Sequence, residues 1–135
     1  MASRQTHPHD LNAGPHLRVE DIRRGLPVRA VDELAAALQV DRAVLAEVLG
    51  TSLRTLQRKS SGRDRLGPSA SDRLARVQRI LELATHVLGK TEKAARWLTS
   101  PSRVLRDVPL HMLDTDIGAQ RVQNELHAIE YGIPV

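Results

Sequence analysis

Apolar residues recur three and four positions apart along most of the chain from residue 28 onward, which is the spacing of a helix that buries one face. Val and Ile occur singly and never alternate with polar residues over the length of a strand. The pattern therefore predicts an all-α protein. Its first two helices are short: one follows Pro27, which suits a first helical turn, and the other is capped by Asp41 and ends at Gly50.

A third short helix and a much longer one follow. Thr51 or Ser52 is expected to cap the third helix, in which Leu53 and Leu56 face inward. The longer helix is expected to start at Ser69, with an acidic residue three positions on, as in a capping box. Its apolar residues form one continuous stripe that ends before a glycine: Leu74, Val77, Ile80, Leu81, Ala84, Val87 and Leu88.

Two more helices complete the predicted fold. Thr91 begins a helix that contains Trp97, and we expect this ring to be an anchor of the core. After a single turn at residues 109–113, Thr115 caps a final helix that Gly132 ends. The inward face of this last helix is predicted to consist of Ala119, Val122, Leu126 and Ile129.

The second and third short helices have the pattern of a helix-turn-helix unit. They are joined by a turn that contains Gly50, and the small residue Ala46 lies where the two helices would cross. The third helix carries residue types that reach base edges and phosphates: Thr51, Ser52, Arg54, Thr55, Gln57, Arg58 and Lys59. These residues are the candidate DNA-binding site, and the alternative is a helical hairpin with a solvated polar face.

Positive charge is concentrated beside this candidate site. The chain has 20 Lys and Arg residues against 16 Asp and Glu residues, a net charge of +4. Residues 51–79 hold eight basic residues against two acidic ones, whereas residues 80–135 hold six against seven. Such a local excess favours binding to DNA phosphates. Arg73, Arg76 and Arg79 also fit the outer face of an amphipathic helix.

Composition excludes several other classes of protein. There is no Cys, which excludes disulfides, thiol nucleophiles and Cys-ligated zinc. One Trp, one Tyr and no Phe are too few rings for a base-stacking platform. No Gly-rich phosphate loop, paired His ligands or nucleophile motif is present, so we expect no cofactor, no metal site and no enzymatic activity. Because no apolar run resembles a signal sequence or a membrane span, the expected location is the cytoplasm.

A set of short motifs extends over residues 54–135 in a specific order. Its members are Arg73-Leu74, Ala94-Ala95-Arg96-Trp97-Leu98, Pro101, Leu105, Pro109-Leu110, Leu113, Thr115, Gly118, Val122, Leu126 and Gly132. In this order and spacing the chain resembles the antitoxins that carry the Xre/MbcA/ParS toxin-binding domain. Many members of that family have a glycine shortly before the Pro-Leu pair, where this chain has Arg106-Asp107.

The resemblance implies a type II antitoxin that neutralises a partner toxin, commonly a RES-domain protein that degrades NAD or transfers its ADP-ribose to a target protein. It also implies homodimers within a larger toxin–antitoxin complex, and repression of the antitoxin's own promoter through the N-terminal helices. The expected division is a flexible tail at 1–17, a helix-turn-helix region at 18–65 and a toxin-binding domain at 66–135. The alternatives are a transcriptional regulator whose C-terminal half only dimerises, and an adaptor that does not bind DNA.

The last residues of the chain are the candidate toxin-binding site: Glu130, Tyr131, Gly132, Ile133, Pro134 and Val135. We predict that they occlude the NAD site of the toxin. Gly132 ends the helix and Pro134 limits the entropy lost on insertion, while Ile133 and Val135 offer small apolar groups. The terminal carboxylate of Val135, helped by Glu130, would pair with an Arg of the toxin, and Tyr131 would pack at the pocket mouth. The alternative is a frayed terminus without contacts.

Overall fold

A computed structural model of the chain describes residues 18–59 and 64–132. The tail expected at residues 1–17 lies outside these ranges. Within them the protein is helical, with isolated bridges between single residue pairs and no strand, which confirms the all-α prediction. In chain order the helices are α1 (Val19–Arg24), α2 (Arg29–Leu38), α3 (Arg42–Leu49), α4 (Leu53–Arg58), α5 (Pro68–Leu88), α6 (Thr91–Leu98), a 3₁₀ helix (Pro109–Asp114) and α7 (Asp116–Tyr131).

Helix α5 is the central element on which the others pack. Its residues Leu74, Val77 and Ile80 are fully buried. It contacts α1, α3, α6, α7 and the 3₁₀ helix, while α2 packs on α6 and α3 packs on the 3₁₀ helix. The N-terminal and C-terminal parts of the chain therefore share one hydrophobic core, and α5 runs through it.

Hydroxyl side chains cap two of the helices as the sequence predicts. The Thr55 N–H donates to Ser52 Oγ at 3.0 Å, which identifies Ser52 as the cap of α4. At α7 the Gly118 N–H donates to Thr115 Oγ1, also at 3.0 Å. Each cap satisfies a backbone donor that has no partner inside the helix. Both helix starts are therefore fixed by local sequence.

Two other predicted helix starts are wrong in detail. Asp41 is the residue before α3, but within the described chain its side chain accepts no capping hydrogen bond. Helix α5 begins at Pro68 rather than with a capping box at Ser69. Proline is well suited to this position, because the N–H that it lacks would have no partner in the first turn. The helix therefore starts with a proline in its first turn and without a side-chain cap.

Two residues expected to face inward are exposed, and Val87 and Leu88 at the end of the α5 stripe are half-buried. The exposed fraction is 38% for both Leu53 and Ile129. Leu53 is the first residue of α4, a helix of six residues whose buried contact is made by Leu56. Ile129 lies in the last turn of α7, where its neighbour Glu130 already meets His86 near the end of α5. Both positions therefore lie at an end of their helix.

Helix α1 has no counterpart in the sequence prediction. None of its residues, all of which the structure describes, is buried, so it leaves no apolar stripe to recognise. Its first turn is closed by the Arg18 N–H, which donates to the Asp21 carboxylate at 3.1 Å. Contact with α5 holds the helix in place. Its position is therefore determined by tertiary packing.

Trp97 is not the core anchor that the sequence predicts. Its neighbours Ala94, Ala95 and Leu98 fill the core, and the three are at most 3% exposed. The ring itself is half-buried and lines a surface groove of about 360 Å³ together with Leu88, Lys93, Arg96, Ser100, Pro101 and Ser102. Position 97 lies at the edge of the buried face of α6, so the ring is only partly covered.

The turn before the 3₁₀ helix forms at Arg106-Asp107, without a glycine. Arg106 has a φ of +60°, in the left-handed region that glycine favours. The Arg106 N–H donates to the Ser102 carbonyl at 2.8 Å, and the Ser102 N–H donates to the Asp107 carbonyl at 2.9 Å. These two hydrogen bonds hold an arginine in a conformation that is unfavourable for it.

Candidate functional site

Helices α3 and α4 form a tight helical pair around a glycine turn. Gly50 ends α3 with a φ of +71°, and the following Thr51 N–H donates to the Ala46 carbonyl at 3.0 Å. Ala46 is only 3% exposed, and Leu56 of α4 is fully buried. The small residue at the crossing and the left-handed glycine therefore have the positions that the helix-turn-helix prediction requires.

The predicted DNA-binding residues divide into two groups on this helix. Arg54, Gln57 and Arg58 are exposed, and within the described ranges their side chains make no hydrogen bond or ion pair. Arg54 and Arg58 are four positions apart, so they project from the same side of α4. These three side chains can reach a ligand without first breaking an internal contact.

The remaining members of the predicted set are engaged within the protein or half-buried. Ser52 Oγ donates to Thr55 Oγ1 at 2.8 Å, besides capping the helix. Lys59 Nζ donates to the Arg65 carbonyl at 3.1 Å, and Thr51 is half-buried in the turn. Their contacts shape the start and the end of α4.

The other predicted site lies at the end of α7. Gly132 ends this helix with a φ of +65°, and its N–H donates to the Ile129 carbonyl at 3.3 Å. Tyr131 is 69% exposed and stacks on His127, with ring centroids 6.2 Å apart. Residues 133–135, which complete the predicted toxin-binding set, lie outside the described ranges.

Two histidines lie beside Glu130, a proximity that the sequence does not predict. His86 Nε2 lies 3.2 Å from Glu130 Oε2, and His127 Nδ1 lies 3.4 Å from Oε1. His127 is three positions before Glu130 on one helix face, a spacing that indicates contact. His86 belongs to α5, so only the fold brings it here. The last turn of α7 therefore meets α5 at this point.

An ion pair joins the start of α3 to α2. It lies at the opposite end of α3 from the Gly50 turn. Arg42 Nε lies 2.7 Å from Asp32 Oδ1, and Arg42 Nη2 donates to Oδ2 at 2.8 Å. These hydrogen bonds lower the pKa of the Asp32 carboxyl and raise the pKa of Arg42. The two parallel bonds set the entry of α3.

Two other kinds of feature are absent from the part of the chain that the structure describes. There, no group of three or more His, Cys, Asp or Glu side chains could hold a metal ion. None of the helices in the same residues is long and apolar enough to cross a membrane.

Comparison with known proteins identifies two family domains in the chain. Residues 17–79 match the antitoxin Xre-like helix-turn-helix domain, and residues 83–132 match the antitoxin Xre/MbcA/ParS C-terminal toxin-binding domain. A protein of Photorhabdus laumondii named Antitoxin Xre is 35% identical over 124 residues, which cover 90% of this chain and 83% of that protein. The chain belongs to the Xre antitoxin family.

Two further relatives of this antitoxin show the breadth of the similarity. An Antitoxin Xre of Yersinia enterocolitica is 27% identical over 117 residues, covering 85% of this chain and 79% of the relative. A Sphingobium protein named Prs ADP-ribosylating antitoxin is 29% identical over 130 residues, covering 89% and 82%. The antitoxin is thus a type II antitoxin with a helix-turn-helix domain and a toxin-binding domain, and a cognate toxin is its partner.

The two matched segments of the antitoxin meet inside α5. The first ends at residue 79 and the second begins at residue 83, whereas α5 continues to Leu88. The domain boundary expected between residues 65 and 66 stays a prediction, because both segments pack into the same core.

Proposed function

We propose that this antitoxin neutralises a RES-domain toxin that acts on NAD, and that it does so by occluding the active site of the toxin. The observation that carries the proposal is the end of α7. The toxin-binding match runs to residue 132, where a left-handed glycine ends the helix beside the exposed Tyr131. The name of the Sphingobium relative refers to ADP-ribosylation, which uses the ADP-ribose of NAD.

In this proposal the residues at the end of the chain have separate roles. Ile133 and Val135 enter the nucleotide pocket, and Pro134 reduces the entropy that the segment loses on entering. Tyr131 packs at the mouth of the pocket. The carboxylate of Glu130, which lies 3.2 Å from His86 Nε2 and 3.4 Å from His127 Nδ1, would pair with an Arg of the toxin.

Removal of residues 133–135 tests the occlusion. The antitoxin and the toxin gene next to its own are co-expressed, and the complex and the NAD content of the cells are measured. We expect the truncated antitoxin to retain the toxin in a complex through the surface of residues 83–132, while NAD falls. The variant Ile133→Asp should act like the truncation, and Ile133→Val, which keeps the apolar group, should not. Full suppression by the truncated protein at equal concentration would refute occlusion by this segment.

We further propose that the antitoxin represses its own operon as a homodimer, with α4 as the recognition helix. The helix-turn-helix match and the free side chains of Arg54, Gln57 and Arg58 support this assignment. A dimer would place two copies of α4 on two half-sites one helical turn of DNA apart. The protein acts here by binding alone and not as an enzyme. Light scattering of the purified antitoxin, with and without toxin, measures the assembly.

Arginine substitutions in α4 test the repression. Arg54→Ala and Arg58→Ala should weaken promoter binding, by about 1–3 kcal/mol for each lost bidentate base contact. Arg121→Ala removes the same charge from the exposed surface of α7 and is the matched control. Titration of a labelled promoter fragment gives the affinities, and circular dichroism checks that each variant is folded. Equal affinity of all three variants and the unmodified protein would refute the assignment of α4.

A further inference from the structure

Arg73 of α5 reaches the turn between α3 and α4. Its guanidinium packs on Gly50: a Cβ built on this glycine would lie 2.5 Å from Arg73 Nη1 and 3.2 Å from Cζ. Gly50 ends α3, and two residues later Ser52 caps α4. An arginine from outside the helix-turn-helix pair therefore lies beside the peptide that leads into the recognition helix.

Within the described residues this guanidinium has no acceptor. The next arginine of α5, Arg76, donates to the Leu113 carbonyl at 3.0 Å and pairs with Asp72 at 3.5 Å. Arg73 is half-buried, yet in the same residues it forms neither a hydrogen bond nor an ion pair. A guanidinium carries five N–H donors, so those of Arg73 are open to an acceptor from outside the protein. The C-terminal end of α3 carries partial negative charge, which favours a cation at this place. The N–H donors of Arg73 remain available to another acceptor.

The position of these donors matches where the DNA backbone would run. In a docked helix-turn-helix the start of the recognition helix enters the major groove, and the preceding helix crosses the phosphate backbone. The turn at Gly50 joins these two elements, so a cation beside it lies at the rim of the groove. Phosphates at the rim are the acceptors that arginine binds best, with two parallel hydrogen bonds.

We propose that Arg73 binds a phosphate of the DNA backbone, and that α5 thereby contributes to the DNA interface of the antitoxin. This inference rests on the proposed binding of α4 to DNA. It concerns a contact that positions the protein on the duplex and carries no sequence information. Arg73 therefore differs from Arg54 and Arg58, which would read bases as well.

The pair Arg73→Gln and Arg79→Gln tests the proposal. Both variants remove one charge from α5, but Arg79 is exposed and lies about 9 Å further along the helix on another side. Binding to a promoter duplex and to a random duplex is titrated at several salt concentrations. For Arg73→Gln we expect an affinity loss of about tenfold on both duplexes, and a slope of log K against log salt that is smaller by about one. Arg79→Gln should keep the slope of the unmodified protein.

A third variant separates charge from packing. Arg73→Lys keeps a cation beside Gly50, so it should keep the salt slope even if it loses part of the affinity. Thermal melts of all variants show whether Arg73 also supports the fold, and binding is compared below the lowest melting temperature. An unchanged slope for Arg73→Gln overturns the proposal, whatever happens to stability.

The outcomes also distinguish this inference from the assignment of α4. If Arg54→Ala weakens promoter binding while Arg73→Gln behaves like Arg79→Gln, the contact of α5 is refuted and α4 remains the recognition helix. If the unmodified antitoxin binds neither duplex, both proposals are overturned.

Discussion

Helix α7 crosses the end of the 3₁₀ helix too closely to accept a side chain at residue 118. A Cβ on Gly118 would overlap the carbonyl oxygen of Met112 and lie 2.9 Å from its carbonyl carbon. It would also lie 3.0 Å from Thr115 Oγ1, the atom that caps α7. The obstacle is backbone, and it is held by the buried side chains of Leu110 and Leu113. Gly118→Ala must therefore move α7 away from the 3₁₀ helix.

The size of the effect follows from opposing contributions. Alanine is more favourable than glycine inside a helix by about 1 kcal/mol. Overpacking costs about 1–3 kcal/mol, and disturbing the Thr115 cap costs about 1 kcal/mol more. We expect a net loss of about 2 kcal/mol in the free energy of unfolding. For a chain of this size that corresponds to a melting temperature lower by about 8 °C.

Urea and thermal unfolding followed by circular dichroism measure this loss. Gly67→Ala is the matched control, because among the described residues no atom lies within 4 Å of a Cβ at that position. Gly67 precedes α5 with a φ of −65°, so alanine is accepted there and the change should stay within about 0.5 kcal/mol. A Gly118→Ala protein that melts at or above the unmodified protein would refute the close approach of the two helices.

Three other substitutions test features of the fold. Arg106→Gly should raise the free energy of unfolding by about 1 kcal/mol, because it relieves the left-handed arginine; a urea midpoint that does not rise would contradict the strain. Trp97→Ala should cost about 2 kcal/mol in a thermal melt, less than the roughly 3–5 kcal/mol of a fully buried ring, and a loss of the larger size would show that the ring is a core anchor after all. Asp32 has a pKa lowered by Arg42, so its ion pair stabilises the protein at neutral pH and that contribution is lost as the pH falls below 3.8. Asp32→Asn should therefore lose less stability than the unmodified protein between neutral and acidic pH, by under about 1 kcal/mol because the pair is largely exposed; identical acid profiles in urea titrations would contradict this.

The fold could be predicted from sequence where one helix alone carries a long apolar stripe. In α5 the stripe from Leu74 to Ala84 is buried as the spacing indicates. Prediction failed for Ile129, in the last turn of α7, and for Trp97, at the edge of the buried face of α6. It also failed for α1, which has no buried residue and is held by contact with α5. Periodicity shows which face of a helix is apolar. It does not show how much of that face a neighbouring element covers.

The candidate sites show the same division. The exposed side chains of α4 follow from the helical pattern of residues 51–59 together with the glycine turn. Contacts between distant segments cannot be predicted from such a pattern. No regular spacing in the sequence connects His86 with Glu130, or Arg73 with Gly50. Such pairs become visible only when α5 is placed against α3 and α7.

The unbroken course of α5 through both matched segments constrains how such antitoxins can be recombined. A crossover between residues 79 and 83 joins two half-proteins in the middle of a helix. One inserted residue there would rotate everything downstream by about 100° and advance it by about 1.5 Å, which would turn the stripe of α5 away from the core. Chimeras that exchange toxin specificity therefore have to conserve the residue count of α5. In the loop between α6 and the 3₁₀ helix, an inserted residue would not rotate an apolar stripe in this way. The number of residues in α5 must therefore match between the helix-turn-helix half and the toxin-binding half that are combined.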